Sequence, residues 1–115
     1  MKTLVAFAKW ADSGDVIAIL PQEPTSEFDA SLCYSYEHVG QSGSLRDTVY
    51  AQEMLPAAKN EYADLLNEMY KLGYLIPDET EIVPATPDLI TKHHWFRYAR
   101  IWQLKRELNK TVLVL

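Results

Sequence analysis

One cysteine, four glycines and no long apolar run in 115 residues exclude several classes at once. Cys33 has no second cysteine in the chain, so a disulfide scaffold is impossible and a reducing, cytoplasmic setting is expected. No apolar stretch approaches the roughly 20 residues a membrane helix needs, and MKTLVAFAKW turns polar too soon for a signal peptide. Internal repeats, low-complexity tracts and long linkers are also missing, so a single domain over residues 1–115 is expected. Basic residues are scarce over most of the chain. Residues 1–87 hold five Lys/Arg against fourteen Asp/Glu, net −9, and residues 88–115 hold six against two, net +4; together they give −5. An acidic body repels nucleic acid and anionic membrane, so neither is an expected partner, and any nucleic-acid contact must come from the basic C-terminal quarter.

What is present is apolar and aromatic: 48% and 11% of residues, ample for burial against the entropy of ordering the chain. Residues 3–10 and 15–20 are short, β-branched and aromatic, and Ala11-Asp12-Ser13-Gly14 between them makes a turn, which together predict a β-hairpin. Both faces of the first strand are largely apolar, as in a central strand. Residues 21–30, with Pro21 and Pro24, read as a polar loop. A third strand over 31–39 puts Leu32, Tyr34, Tyr36 and His38 on one face and Cys33, Ser35, Glu37 and Val39 on the other. Gly40 to Ser44 reads as a flexible loop, and 44–55 is open between strand and short helix.

Apolar residues at Ala58, Tyr62, Leu65, Met69 and Leu72 predict a helix over 57–72, started after Pro56 and stopped at Gly73. Residues 74–83, containing Pro77, fit an edge strand. Thr86-Pro87-Asp88 is a helix start, and the helix is expected to run unbroken to about Asn109. Its apolar arc of Ile90, Ile101, Leu104 and Leu108 widens through Trp95, Tyr98 and Trp102 and is interrupted by His94, Arg97 and Lys105. The final TVLVL reads as a strand. The fold class is therefore α+β: an antiparallel sheet packed against one helix, with a long C-terminal helix and a terminal strand.

The segment Tyr36-Glu37-His38-Val39-Gly40-Gln41, with Pro56-Ala57-Ala58, Glu61 to Leu65 and Gly73-Tyr74, resembles a family of small bacterial proteins of integrative elements and plasmids. Those proteins share a Y-x-H-V-G-Q signature and a helix headed by P-A-T-P-E-E-Y. The likeness covers residues 1–76, and it implies a fold and a genomic habitat, since no activity is attached to the family. Ser42 stands where relatives often have a second His, and Ala58-Lys59 where they have Thr-Pro.

Tyr34, Tyr36, His38 and Gln41 form the candidate binding loop. His38, beside a glycine loop, has the chemistry of a general base or anion ligand; the structural alternative is a ring bonded to a Tyr hydroxyl or a loop carbonyl that fixes the turn. Cys33 faces away from His38, which disfavours a nucleophilic pair. His93 and His94 lie about 100° apart on a helix and cannot share a metal, so neither metal nor cofactor is expected. The 40–43 loop lacks the Lys-Ser/Thr of a phosphate loop. Trp95, Arg97, Tyr98, Trp102 and Leu115 form a candidate interface. The leading expectation is a non-enzymatic interaction or regulatory protein, self-associating or bound to a protein partner through the C-terminal helix. A small enzyme or ligand-binding protein centred on His38, and a weak nucleic-acid binder through the basic helix, are the alternatives.

Overall fold

A computed structural model describes residues 2–114, with side chains through residue 110. The chain is α+β, a mixed six-stranded sheet with four helices. The first hairpin joins β1 (Thr3–Trp10) to β2 (Val16–Pro24), and β3 (Leu32–Glu37) and β4 (Gln41–Arg46) extend it outward, all antiparallel. On the other side of β1, β5 (Met54–Pro56) pairs antiparallel with residues 8–10, and β6 (Thr80–Ile82) pairs parallel with residues 3–5. The expected purely antiparallel sheet is thus mixed. Its one parallel strand arrives through the 3-10 turn Pro77–Glu79, which Pro77 starts.

Both faces of β1 are covered, as its two-sided apolar pattern requires. Val5 and Phe7, with Ala18, Leu20 and Tyr36, face helix α2 (Lys59–Leu72), which buries Leu65 and Met69. Ala6 and Ala8, with Ile17, Ile19 and Cys33, face Tyr50 of α1 (Asp47–Glu53) and Leu89 and Ile90 of α3 (Leu89–Lys92). The sheet therefore lies between two helical layers. Gly73 ends α2 at φ +82°, and Tyr74 N–H returns to the Met69 carbonyl at 3.0 Å, the left-handed cap that glycine allows. At the other end of α2, Glu61 reaches back to the Ala58 N–H at 2.9 Å.

Four sequence assignments change. Residues 21–24 belong to β2, where the register slips between Leu20 and Pro24; proline cannot donate to the ladder, so a bulge forms and frees the Pro21 carbonyl. Residues 41–46 are strand β4 rather than a loop, and the open 44–55 segment resolves into the end of β4, then α1, then β5. Gly43 fits this strand because it sits opposite Ser35, whose hydroxyl would lie 3.1 Å from any added Cβ. The expected single C-terminal helix is broken at His93 into α3 and α4 (His94–Val114). Helix α4 is continuous through residues 111–114, where the sequence reading placed the start of a strand, because extending an existing helix costs far less than nucleating new structure. Leu115 and the side chains of 111–114 lie outside the described residues, and with them the interface role expected of Leu115.

Candidate functional site

The Y-x-H-V-G-Q segment is a turn locked by a helix. Strand β3 ends at Glu37, residues 38–40 turn, and Gln41 pairs back with Glu37. Glu68 of α2 lies under the turn and collects its donors: the Tyr36 hydroxyl at 2.6 Å, the Val39 N–H at 3.1 Å and the His38 ring Nδ1. The Tyr36 hydroxyl in turn accepts the Gly40 N–H at 3.0 Å. Burial and the neighbouring carboxylate push that hydroxyl above its ordinary pKa, so it stays protonated and donates. Tyr36 and His38 therefore meet at Glu68. Tyr34 is diverted to the Ser42 hydroxyl at 2.7 Å, and Gln41 is exposed on β4. His38 is held by a carboxylate, not by the Tyr hydroxyl or loop carbonyl that its structural reading offered. Glu68 was not singled out by sequence; its only signal is an acid one residue before Met69, beside the buried stripe.

Glu68's carboxyl sits below its ordinary value of 4.5 because the Tyr36 hydroxyl donates to it, with His38 and the Val39 N–H adding and partial burial opposing. A depressed folded value means that the stabilisation is complete above 4.5 and is lost as pH falls through the lower folded value. Amide exchange of Val39 and Gly40 is expected to accelerate over that acid window, and Glu68→Gln should remove the pH step. An unchanged step in the Gln variant would show that another group is responsible.

Among the described residues Val39 is the one non-glycine at positive φ, at +65°, and it is followed by Gly40 at φ +75°. Left-handed backbone costs a β-branched residue about 1–2 kcal/mol, and Val39 is also 75% exposed. Val39→Gly is expected to raise stability by about 1 kcal/mol in denaturant titration, and no gain would mean that the turn relaxes around the valine. Beside this turn a groove of about 500 Å³ opens between the β-hairpins and α2, lined by Asp15, Glu37, His38, Val39, Gln41 and Asp64. Two of its acids have structural partners: Glu37 accepts the Trp10 indole N–H at 2.8 Å, and Glu61, which also lines it, pairs with Lys9 at 2.7 Å.

Cys33 lies on the opposite face of the sheet, and burial pushes its thiol up to about 12, far from a reactive thiolate. His93 and His94 also separate: His93 Nδ1 lies 2.8 Å from the Leu89 carbonyl, and His94 stacks edge-on with Trp95.

The second candidate surface is α4. Arg97, expected at an interface, is fully buried inside the protein: its guanidinium donates to the carbonyls of Ala30 at 2.7 Å and of Pro21 and Ile90 at 2.8 Å. The bulged Pro21 carbonyl has no ladder duty, which is why an arginine can claim it. Trp95, Tyr98 and Trp102 project the other way, 75%, 43% and 49% exposed. Spaced three and four residues apart, they form an edge-to-face ladder with centroid separations of 5.7 and 6.3 Å. The Lys105 ammonium sits 5.3 Å from the Trp102 ring and 5.4 Å from that of Phe28, itself 85% exposed. Leu104 and Leu108 continue the docked line of Arg97 and Ile101 outward and are both exposed.

No family model, curated protein or solved structure matches the chain. No helix among the described residues is long and apolar enough to cross a membrane.

Proposed function

We propose that the chain is a non-enzymatic interaction protein that self-associates through the outward face of α4. The observation that carries this reading is the Trp95–Tyr98–Trp102 ladder. Three large rings, each touching the next along the helix, leave a large part of their surface to solvent on a helix whose inner side already completes the fold. Contiguous apolar surface of this kind, rich in Trp and Tyr and flanked by the Lys105 ammonium over Trp102, has the composition of a protein contact. The basic helix and the acidic body also attract each other between copies. The groove beside His38 supports an enzyme less well, because Glu68, the acid paired with the imidazole, is engaged in holding the turn, and Glu37 is bonded to the Trp10 indole. Membership of the mobile-element family carrying Y-x-H-V-G-Q, and a cytoplasmic location, belong to the same proposal.

The test is the solution mass of the full chain beside the double variant Trp95→Glu/Trp102→Glu. Association is expected in the wild type and its loss in the variant, with the thermal melt nearly unchanged because both rings are exposed. A wild type and variant of equal mass above that of one chain would move the contact elsewhere on the molecule.

A further inference from the structure

From Asp88 to Leu115 the sequence contains neither proline nor glycine, and its pattern predicts one helix. The chain nevertheless bends at His93 (φ −102°, ψ 11°), whose N–H turns back to the Ile90 carbonyl at 3.2 Å. Sharp helix breaks come from Pro, Gly, a bulge or a group inserted into the hydrogen-bond ladder. Here the inserted group is the Arg97 guanidinium. Its Nη1 takes the Ile90 carbonyl, which in a continuous helix would receive the His94 N–H. The same guanidinium holds the Pro21 and Ala30 carbonyls of the body, so docking α4 and bending at His93 are a single event. The docking is not optimal. Arg97 is fully buried without a hydrogen-bonded carboxylate among the described residues, its Nη2 makes no hydrogen bond, and burial lowers its pKa.

We propose that α4 is an exchangeable arm. In a pair of copies His93 straightens, α3 and α4 join into one helix, and Arg97 of each copy enters the Pro21–Ala30 carbonyl cradle of the other. This rests on the self-association reading and specifies its partner, a second copy, and the residue that each copy lends. Three observations favour it. Arg97 keeps two of its three carbonyls in trans, and the third, Ile90, returns to the helix ladder that its sequence prefers. The attraction between the +4 segment and the −9 body operates between copies as it does within one. Exchange conserves the docked contacts, so the balance between one chain and two is set by the hinge residue and by the surface newly covered.

The hinge makes the experiment. His93→Ala favours the straight helix and His93→Gly the bend, and both lose the ring contact to Leu89 equally. Ala and Gly differ about fivefold per helical position, and a pair of copies contains two hinges, so the dimerisation constant of the full-length Ala variant is expected to exceed that of the Gly variant about 25-fold. Sedimentation equilibrium reads this directly, and dilution of the dimer should return monomer slowly because α4 must undock. Equal constants for the two variants, with association still abolished by Trp95→Glu/Trp102→Glu, would overturn arm exchange and leave the aromatic contact standing. Monomer at every concentration in the wild type and in His93→Ala would overturn both.

Discussion

Arg97→Met is expected to destabilise the protein by about 3 kcal/mol and to release α4 from the sheet. The substitution roughly keeps the volume and strips the carbonyls of Pro21, Ala30 and Ile90 of their shared donor. Each buried acceptor left unpaired costs roughly 1–3 kcal/mol, and the total is offset in part because a buried cation is no longer desolvated. Arg97→Lys should recover little, since an ammonium lacks the planar fork that addresses three carbonyls from one position. Chemical denaturation gives the size of the effect, and hydrogen exchange gives its place: amides of α4 should lose protection before those of β1 to β3. A methionine variant with wild-type stability and a protected α4 would mean that the helix is held by Ile101 and its neighbours alone.

The second large effect concerns the layers. Leu89→Ala and Met69→Ala each remove a fully buried side chain, one from each side of the sheet. Both are expected to cost about 3 kcal/mol, the usual price of a core cavity. Equality matters because it shows that the α1/α3 side is a core in its own right, which is the condition for α4 to turn its aromatic face outward. If Leu89→Ala cost under about 1 kcal/mol, that layer would be loosely packed, and Trp95, Tyr98 and Trp102 could close over the sheet instead.

Local signals were legible wherever one residue decides a conformation. The β-hairpin, the central place of β1, the span of α2 and its stop at Gly73 all follow from alternation, periodicity and a glycine able to take positive φ. The opposite facing of Cys33 and Tyr36 followed from the period of two. Legibility failed where distant partners decide. The sequence reading took Pro21 and Pro24 for loop markers because their strand survives only as a bulge, and nothing local announces that a bulged carbonyl will meet an arginine 76 positions later. The bend at His93 has the same origin: helix propensity predicts continuity, and a tertiary hydrogen bond overrides it.

For the candidate site, the signature residues of the turn were visible and their keeper was not. Tyr36, His38 and Gly40 stood out by type and spacing, whereas Glu68, 28 residues or more away along the chain, looked like one acid among many on α2. On α4 the spacing of the aromatics is visible in the sequence, and the rings lie along one side of the helix. The hydrophobic arc could not say which side would face the sheet, and it put Arg97 with the interface, because a buried arginine and a snorkelling one have the same sequence. Burial settles that question: the arginine goes in and the rings go out.

In the proposed self-association the exposed rings of α4 pack against a second copy of the chain. Sedimentation velocity of the full-length wild type over a wide concentration series tests it most directly. Self-association gives a weight-average mass that rises from 13.2 kDa toward twice that value as concentration increases. A mass that stays at 13.2 kDa up to the solubility limit would contradict it.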